Sequence, residues 1–460
     1  MDSSGDKAEK SEEDVIAFLL DKVNSLYLYR DHYFENHKIE DAIHKNGDIE
    51  KRLAEILDVF DRHENSALET DRARYNFLRG RLLNVIPKYS KEAENLLSKA
   101  IKLDPKLVDA WNELGECFWK NDELKKATNC FEGALKECKN KVSLRNLSML
   151  ARQESSSSRE NLVENIEKGL NYAKEGVQLD PQDGLSWAVL GNAHLSSFFG
   201  IQQNPKTLKQ CLSAYSQAEK DVVAKSTPDL HYNKGITLKY EEEYELALES
   251  FNKAALYDPT WEQPKIKERQ LVKYLNDISD LVTTNGKMKA KRLQQILQSI
   301  DSKQLGPYGG GSYTSSHNQT VKLNEVSLSH LKPGLNEEKV VLGKVVCTVQ
   351  NEDSVPFTFC LVDKLGTCVV VTVYNLADGK GVIIGNSVAI PEPYVTDVNF
   401  SYKDNVSGPI SHDQCDTFVF QEYKFRLIRV ETPLVMVVNG KKVNRDLQAG
   451  VQMSIFKKFD

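Results

Sequence analysis

Residues 111–134 read WNELGECFWKNDELKKATNCFEGA. Trp111, Leu114 and Phe118 recur at the three-to-four spacing that places side chains on one face of a helix. Gly115 leaves a gap in that face, so a second helix can press close. Ala127, Phe131 and Ala134 form the matching face of that second helix, a large residue between two small ones. The stretch predicts a helix–turn–helix hairpin. A hairpin of this kind cannot bury both its faces alone and needs neighbours on either side.

The spacing is that of a tetratricopeptide repeat (TPR), a unit of about 34 residues. Neighbours follow in frame. The preceding repeat carries Tyr75, Phe77, Leu78 and Gly80, then Ala93, Leu97 and Ala100. It closes at Leu103-Asp104-Pro105, where proline cannot continue a helix. The next repeat is stretched by about nine residues. Leu144, Leu147 and Ala151 precede a serine-rich loop at 154–158, and Gly169, Ala173 and Gly176 follow it. A fourth opens with Trp187, Leu190 and Gly191, continues to Cys211, Tyr215 and Ala218, and carries extra residues around 198–205. A fifth has Gly235, Leu238, Ala247, Phe251 and Ala254, with His231 in the tryptophan position. Helices at 12–36 and 48–63 lack the signature and are expected to start the stack. Two more, at 262–283 and 287–300, are expected to end it.

Composition changes beyond residue 301. Residues 305–319 (LGPYGGGSYTSSHNQ) read as a flexible linker. Strand-like runs follow at 321–328, 340–349, 357–362, 368–374, 387–390, 418–430 and 434–438. Short strands separated by turn residues predict a small all-β barrel. Gly385-Asn386 before Ser387-Val388-Ala389-Ile390 resembles the turn and fourth strand of an OB-type barrel. The expected organisation is a multi-domain chain: a tail at 1–11, an all-α TPR superhelix at 12–301, a linker at 302–320, an OB-fold barrel at 321–440 and a C-terminal tail at 441–460.

Several function classes are disfavoured. A net charge of −6 argues against a dedicated nucleic-acid binder. No apolar run reaches the ~18 residues of a membrane helix, so no membrane partner is expected. The N-terminal MDSSGDKAEKSEED is not a secretory signal, and the 8 cysteines show no CxxC pair, so they read as reduced thiols in cytoplasm or nucleus. No GxxxxGK[ST], HExxH or GxSxG is present, and Gly309-Gly310-Gly311 lies in the linker. The expectation is a non-enzyme with no cofactor and no metal.

In a TPR stack the first helix of each hairpin lines a groove. Its inward positions hold Asn112, Glu116 and Trp119, then Arg145, Met149 and Arg152, then Asn192, then Asp229, Tyr232 and Lys239. Charged surface is the default reading for many of these. Arg145 and Arg152 stand out, seven residues apart on one helix side, because guanidinium suits capture of a carboxylate. Asp229 could accept a cation. A carboxylate-clamp groove would hold lysine and asparagine where Asn112 and Glu116 stand. The basic run Lys287, Lys289, Lys291 and Arg292 is either a solvated helix start or a contact for RNA phosphate. The barrel aromatics Phe357, Phe359, Tyr374, Phe400, Phe418, Phe420, Tyr423 and Phe425, flanked by Lys424, Arg426 and Arg429, are open to two readings: a packed core, or a platform for single-stranded nucleic acid.

The order of parts resembles the tetratricopeptide repeat protein 5 family. The stretches Lys141-Val142-Ser143-Leu144, Leu342-Gly343-Lys344-Val345-Val346, Val355-Pro356-Phe357-Thr358-Phe359 and Ser387-Val388-Ala389-Ile390-Pro391-Glu392-Pro393 carry the likeness. The resemblance implies two roles. One is recognition, at the ribosome exit, of the emerging Met-Arg-Glu start of α- and β-tubulin, with recruitment of an mRNA-decay adaptor. The other is a transcription-cofactor scaffold bridging a CBP-type acetyltransferase and JMY in stress and p53 responses. It also implies that Arg152 is the peptide-contact arginine and that Lys287 and Lys289 contact the ribosome. On that basis Arg152 is expected to hold the peptide glutamate, and from its inward position on a nearby repeat Asp229 is expected to help hold the peptide arginine.

Overall fold

The computed structural model describes residues 13–154, 158–201, 203–310, 312–314, 320–353, 355–377, 379–403 and 420–449. The chain divides into two compact units. The first comprises Met1–Thr237 and Asn252–Glu262, the second Leu238–Phe251 and Gln263–Asp460.

The first unit is helical. It begins with α1 (Glu13–Asp31), the single turn α2 (Tyr33–Asn36) and α3 (Lys45–Thr70). Four hairpins follow: α4 (Arg72–Leu83) with α5 (Lys91–Leu103), α6 (Val108–Lys120) with α7 (Leu124–Glu137), α8 (Lys141–Gln153) with α9 (Arg159–Leu179), and α10 (Gly184–Gly200) with α11 (Pro205–Ala218). After the short α12 (Val222–Lys225), α13 (Pro228–Tyr240) and α14 (Tyr244–Tyr257) make the fifth hairpin, each divided between the two units.

The predicted packing is present. A Cβ on Gly115 would lie 2.7 Å from the Phe131 ring, so glycine is what lets α7 close on α6. Gly191 does the same for Tyr215. The tryptophan position has a polar duty too. Trp111 donates its indole N–H to the Pro105 carbonyl at 2.8 Å, and Trp187 donates to Pro181 at 2.9 Å. His231 Nε2 meets the Lys225 carbonyl at 2.7 Å, so histidine fills the same role in the fifth repeat. The extra residues of the stretched repeats mainly lengthen helices: α9 runs 21 residues, and α10 runs 17 with Phe198 buried. Residues 155–157 of the expected serine loop lie outside the described residues.

The second unit is built on a five-stranded closed barrel. β1 (Ser312–Thr314) and β2 (Thr320–Lys322) form a separate ribbon, and β3 (Asn324–Glu325) and β4 (Gly334–Leu335) are short. β5 (Lys339–Val349), β6 (Phe357–Val362) and β7 (Cys368–Val373) form an antiparallel meander. β8 (Ser387–Pro391) pairs with β5 and runs on, past Glu392 at φ +43°, into β9 (Tyr394–Lys403). β9 pairs with β10 (Phe420–Val430), which lies parallel to β7 and closes the ring. This order is that of a Greek-key OB barrel. β11 (Val437–Val438) and β12 (Lys441–Lys442) extend it beside β8. The interior is filled by Val341, Val345, Phe359, Leu361, Val371, Val388, Val395 and Ile428.

Four expectations need correction. Residues 302–310 of the expected linker form a 3-10 segment whose Leu305 and Tyr308 are buried with Val340, Leu342 and Val437, since apolar side chains there have a barrel face to cover. Residues 441–449 of the expected tail belong to the domain: Val443 packs on the core, and the Ala449 N–H donates to Asn375 O at 2.7 Å. β9 was not predicted, although Val398, Phe400 and Tyr402 alternate with period two; Val395, buried in the barrel core, lies on the opposite face. Finally, the helical array does not end as one body at 301. Residues 238–251 and α15 (Glu262–Thr283), after its first residue, pack with the barrel. Tyr274 Oη lies 2.7 Å from Thr358 Oγ1, and Tyr402 donates to Glu268 at 2.6 Å. Buried Glu242 accepts from Thr372 at 2.7 Å and Tyr374 at 2.9 Å and faces Arg429 at 3.5 Å. The last helix, α16 (Ala290–Gln298), lays Leu297 against the Leu305–Tyr308 cluster.

Candidate functional site

Arg152 lies in the last turn of α8, and its stem fills a space left by a neighbour. A Cβ on Gly169 of α9 would lie 3.0 Å from Arg152 Cγ. The guanidinium donates to the Ser148 carbonyl at 3.0 Å and reaches Ser196 Oγ on α10 at 3.5 Å. No carboxylate pairs with it among the described residues. Burial pushes its pKa down to about 10, with Tyr215 acting weakly the other way. An arginine is ordinarily fully protonated, so an unpaired, desolvated guanidinium has a standing deficit that an anion can relieve.

Tyr215 links this group to the opposite charge. Its hydroxyl donates to Asn192 Oδ1 at 2.7 Å, and Asn233 Nδ2 donates to the same oxygen at 3.1 Å. Burial raises the phenol far above its ordinary value; further along, Arg152 lowers it and Asp229 raises it. The Tyr215 hydroxyl thus lies in the fields of both charges. Asp229, in the first turn of α13, has no cation partner among the described residues. Its side chain keeps exposed surface, yet surrounding protein atoms desolvate the carboxyl and, with Asp258, push its pKa up. Accessible but desolvated is what a group on the wall of a concavity shows.

The other predicted groove residues divide. Asn192 belongs to the cluster, and Met149 lies half-buried against Val177, Val189 and Leu190. Glu116 is half-buried on α6, where after burial itself it is the largest cause raising Glu113 to about 7. Glu113 also faces Arg81 at 3.2 Å and Asn84 at 2.9 Å. Four residues are corrected, because each is committed to an internal contact. Asn112 is buried between Asn140, at 3.2 Å, and the Ser143 hydroxyl, at 2.6 Å. Arg145 pairs with Asp183 at 2.5 Å; burial would raise Asp183, but Arg145, Ser186 and Lys141 outweigh it and hold it low. Tyr232 is buried with its ring 4.7 Å from Trp261. Lys239 belongs to the second unit, where it is buried and shares Asp353 with Lys267.

Sequence reasoning missed Ser196 and Asn233. Each stands four residues after a residue it did pick, Asn192 and Asp229, and the i,i+4 rule would have found both.

In the second unit Lys287, Lys289, Lys291 and Arg292 are all exposed. Lys287 pairs with Asp280 at 2.6 Å, which raises its pKa; Lys289 is the N-cap of α16. The described barrel aromatics are covered: Phe359, Tyr374, Tyr423 and Phe425 are buried, and Phe357 and Phe400 are half-buried. Arg426 is held by Asp397 at 2.9 Å, and Arg429 by Glu431 at 2.6 Å. Phe418 and the Phe420 side chain lie outside the described residues. Among the described residues no helix is long and apolar enough to cross a membrane, and no cluster of His, Cys, Asp and Glu could hold a metal ion.

A TPR array joined to an OB barrel defines the chain as a TPR adaptor, a fold suited to a peptide or protein partner. Residues 322–452 match the tetratricopeptide repeat protein 5 OB fold domain, and residues 228–260 match a tetratricopeptide repeat. The chain is 45% identical to tetratricopeptide repeat protein 5 of Mus musculus, over 97% of this chain and 98% of that protein. Against the Homo sapiens protein it is 44% identical over 96% of each. The chain belongs to the tetratricopeptide repeat protein 5 family. Relatives of this kind and the TPR fold are typical of non-enzymatic adaptors.

Proposed function

We propose that the groove of the first unit binds the Met-Arg-Glu start of nascent α- and β-tubulin. In this reading Arg152 holds the peptide glutamate and Asp229 holds its arginine. The observation that supports it is a pair of desolvated opposite charges, without ion partners among the described residues, that both act on the Tyr215 hydroxyl. Two opposite charges left unpaired inside one protein are costly, and a ligand that carries both complements neutralises both.

The exposed Lys287–Arg292 run then contacts ribosomal RNA and protein near the exit tunnel, with a salt-dependent phosphate attraction. Engagement of the peptide recruits an mRNA-decay adaptor, so that tubulin messages are degraded while being translated. The family resemblance adds a scaffold role between a CBP-type acetyltransferase and JMY, and with it activity in both cytoplasm and nucleus. The alternative of single-strand binding by the barrel has less support, since its described aromatics are buried or half-buried. A pull-down from translating ribosomes tests the main reading. Wild type should recover tubulin-synthesising ribosomes and Arg152→Ala should not; equal recovery would refute the role given to Arg152.

A further inference from the structure

Three cysteines, Cys347, Cys360 and Cys368, gather on one side of the barrel. Cys347 of β5 and Cys360 of β6 are direct cross-strand partners in the antiparallel register. Directly opposed residues in such a pair have Cα atoms about 4.5 or 5.5 Å apart. Both values lie inside the window of about 4.4–6.8 Å that a disulfide spans. Cys368 of β7 is diagonal to Cys360, whose direct partner is Val370. Diagonal neighbours stand about 7–8 Å apart, too far for a bridge without backbone movement. Cys347 and Cys360 point away from the barrel interior, which on β6 is filled by Phe359 and Leu361. The Cys360 thiol is within hydrogen-bond reach of both Cys347 and Cys368.

The two buried thiols differ in character. The hydrogen bond from Cys360 favours the thiolate of Cys347, lowering its pKa, whereas Cys360 is pushed far up. Cys347 is 7% exposed and Cys360 fully buried, so Cys347 is the thiol that an oxidant reaches first. Cys347 also touches the turn before α16: a Cβ on Gly286 would lie 3.1 Å from Cys347 Cβ.

We propose that Cys347 and Cys360 form a peroxide-responsive dithiol that closes to a reversible disulfide across β5 and β6. The Cys347 thiolate attacks one oxygen of hydrogen peroxide and becomes a sulfenic acid, and the other oxygen leaves as hydroxide, which takes up a proton to give water. Cys360 sulfur then attacks Cys347 sulfur, the S–O bond breaks, and the departing hydroxide takes the Cys360 proton as a second water. The two thiols are oxidised by two electrons and one peroxide is reduced. In reducing compartments such bonds are transient and act as sensors. Cys368 is a neighbour of the reaction and not a member of the bond.

Peptide mapping of the full chain tests this. Cleavage at Lys344 and Lys364 releases residues 345–364 with both Cys347 and Cys360 inside, while Cys368 falls in the next fragment. After hydrogen peroxide and then iodoacetamide, fragment 345–364 is expected unalkylated and lighter by two hydrogens. Dithiothreitol should restore two alkylatable thiols. Cys368→Ser should leave the bond in place, and Cys347→Ser should abolish it. A doubly alkylated 345–364 fragment, under peroxide that oxidises exposed Cys138, would overturn the proposal. So would a fragment joined to Cys368.

Discussion

Gly169 makes the room that Arg152 occupies: a side chain there would stand 3.0 Å from Arg152 Cγ. The stretched third repeat therefore seats a long cationic side chain where α9 closes on α8, with the Ser148 carbonyl equally near Gly169. It seats it without a counter-ion, and from that follow the expectations for this site.

Removing Arg152 should separate binding from stability. Arg152→Met deletes a half-buried charge with no carboxylate partner among the described residues, so thermal stability should hold or rise, while affinity for a Met-Arg-Glu peptide falls by roughly 1.5–3 kcal/mol. Arg145→Met should do the reverse. It strips Asp183 of a 2.5 Å partner and should destabilise by roughly 1.5–3 kcal/mol. Calorimetric melting and peptide titration of the two variants check this; parallel losses in both assays for Arg152→Met would make it a structural residue.

The pH profile of peptide binding should carry both charges. Asp229 must be ionised to hold the peptide arginine, and its pKa is raised, so affinity should fall on acidification from above the usual aspartate range. Arg152 must be protonated to hold the glutamate, and affinity should fall as pH rises through about 10. A peptide with glutamine in place of glutamate removes the ligand's own acid titration and should also abolish the alkaline fall. Anisotropy titrations across both limbs measure it.

In the second unit, Arg429→Met leaves buried Glu242 without its cation. A loss of about 3–5 kcal/mol is expected for breaking such a pair from one side. Denaturant unfolding checks the value, and a change below 1 kcal/mol, well short of that range, would mean that the pair does not secure residues 238–251 to the barrel.

Charge reversal at Lys287 and Lys289 should lower the melting temperature only slightly, since both side chains are exposed and the Lys287–Asp280 pair is a surface one. Ribosome co-sedimentation should fall, and its salt dependence should flatten. Peptide binding should be untouched.

The repeats were legible because their signal is local. Trp111, Gly115 and Phe131 set the spacing, and the same frame placed Arg152 on an inward position. What the frame could not show is partnership. Arg145 and Arg152 look alike in sequence, yet Asp183 neutralises only the first. Lys239 fell in frame as well, but a carboxylate more than a hundred residues away, Asp353, takes its charge. The division between units was hidden for the same reason: Glu242 sits in a repeat turn, while Thr372, Tyr374 and Arg429 that bury it are far along the chain. β9 was missed although Val398, Phe400 and Tyr402 alternate, because Val395 buries on the opposite face and its role needs the closed barrel.

The central claim is that Arg152 pairs with the third residue of the ligand. A double-mutant cycle tests it, combining wild type and Arg152→Ala with the Met-Arg-Glu peptide and its Met-Arg-Gln counterpart, read by calorimetry. The predicted result is that glutamine weakens binding to wild type and makes no difference to Arg152→Ala, a coupling of roughly 1.5–3 kcal/mol. Additive losses, with no coupling between the two changes, would contradict the account.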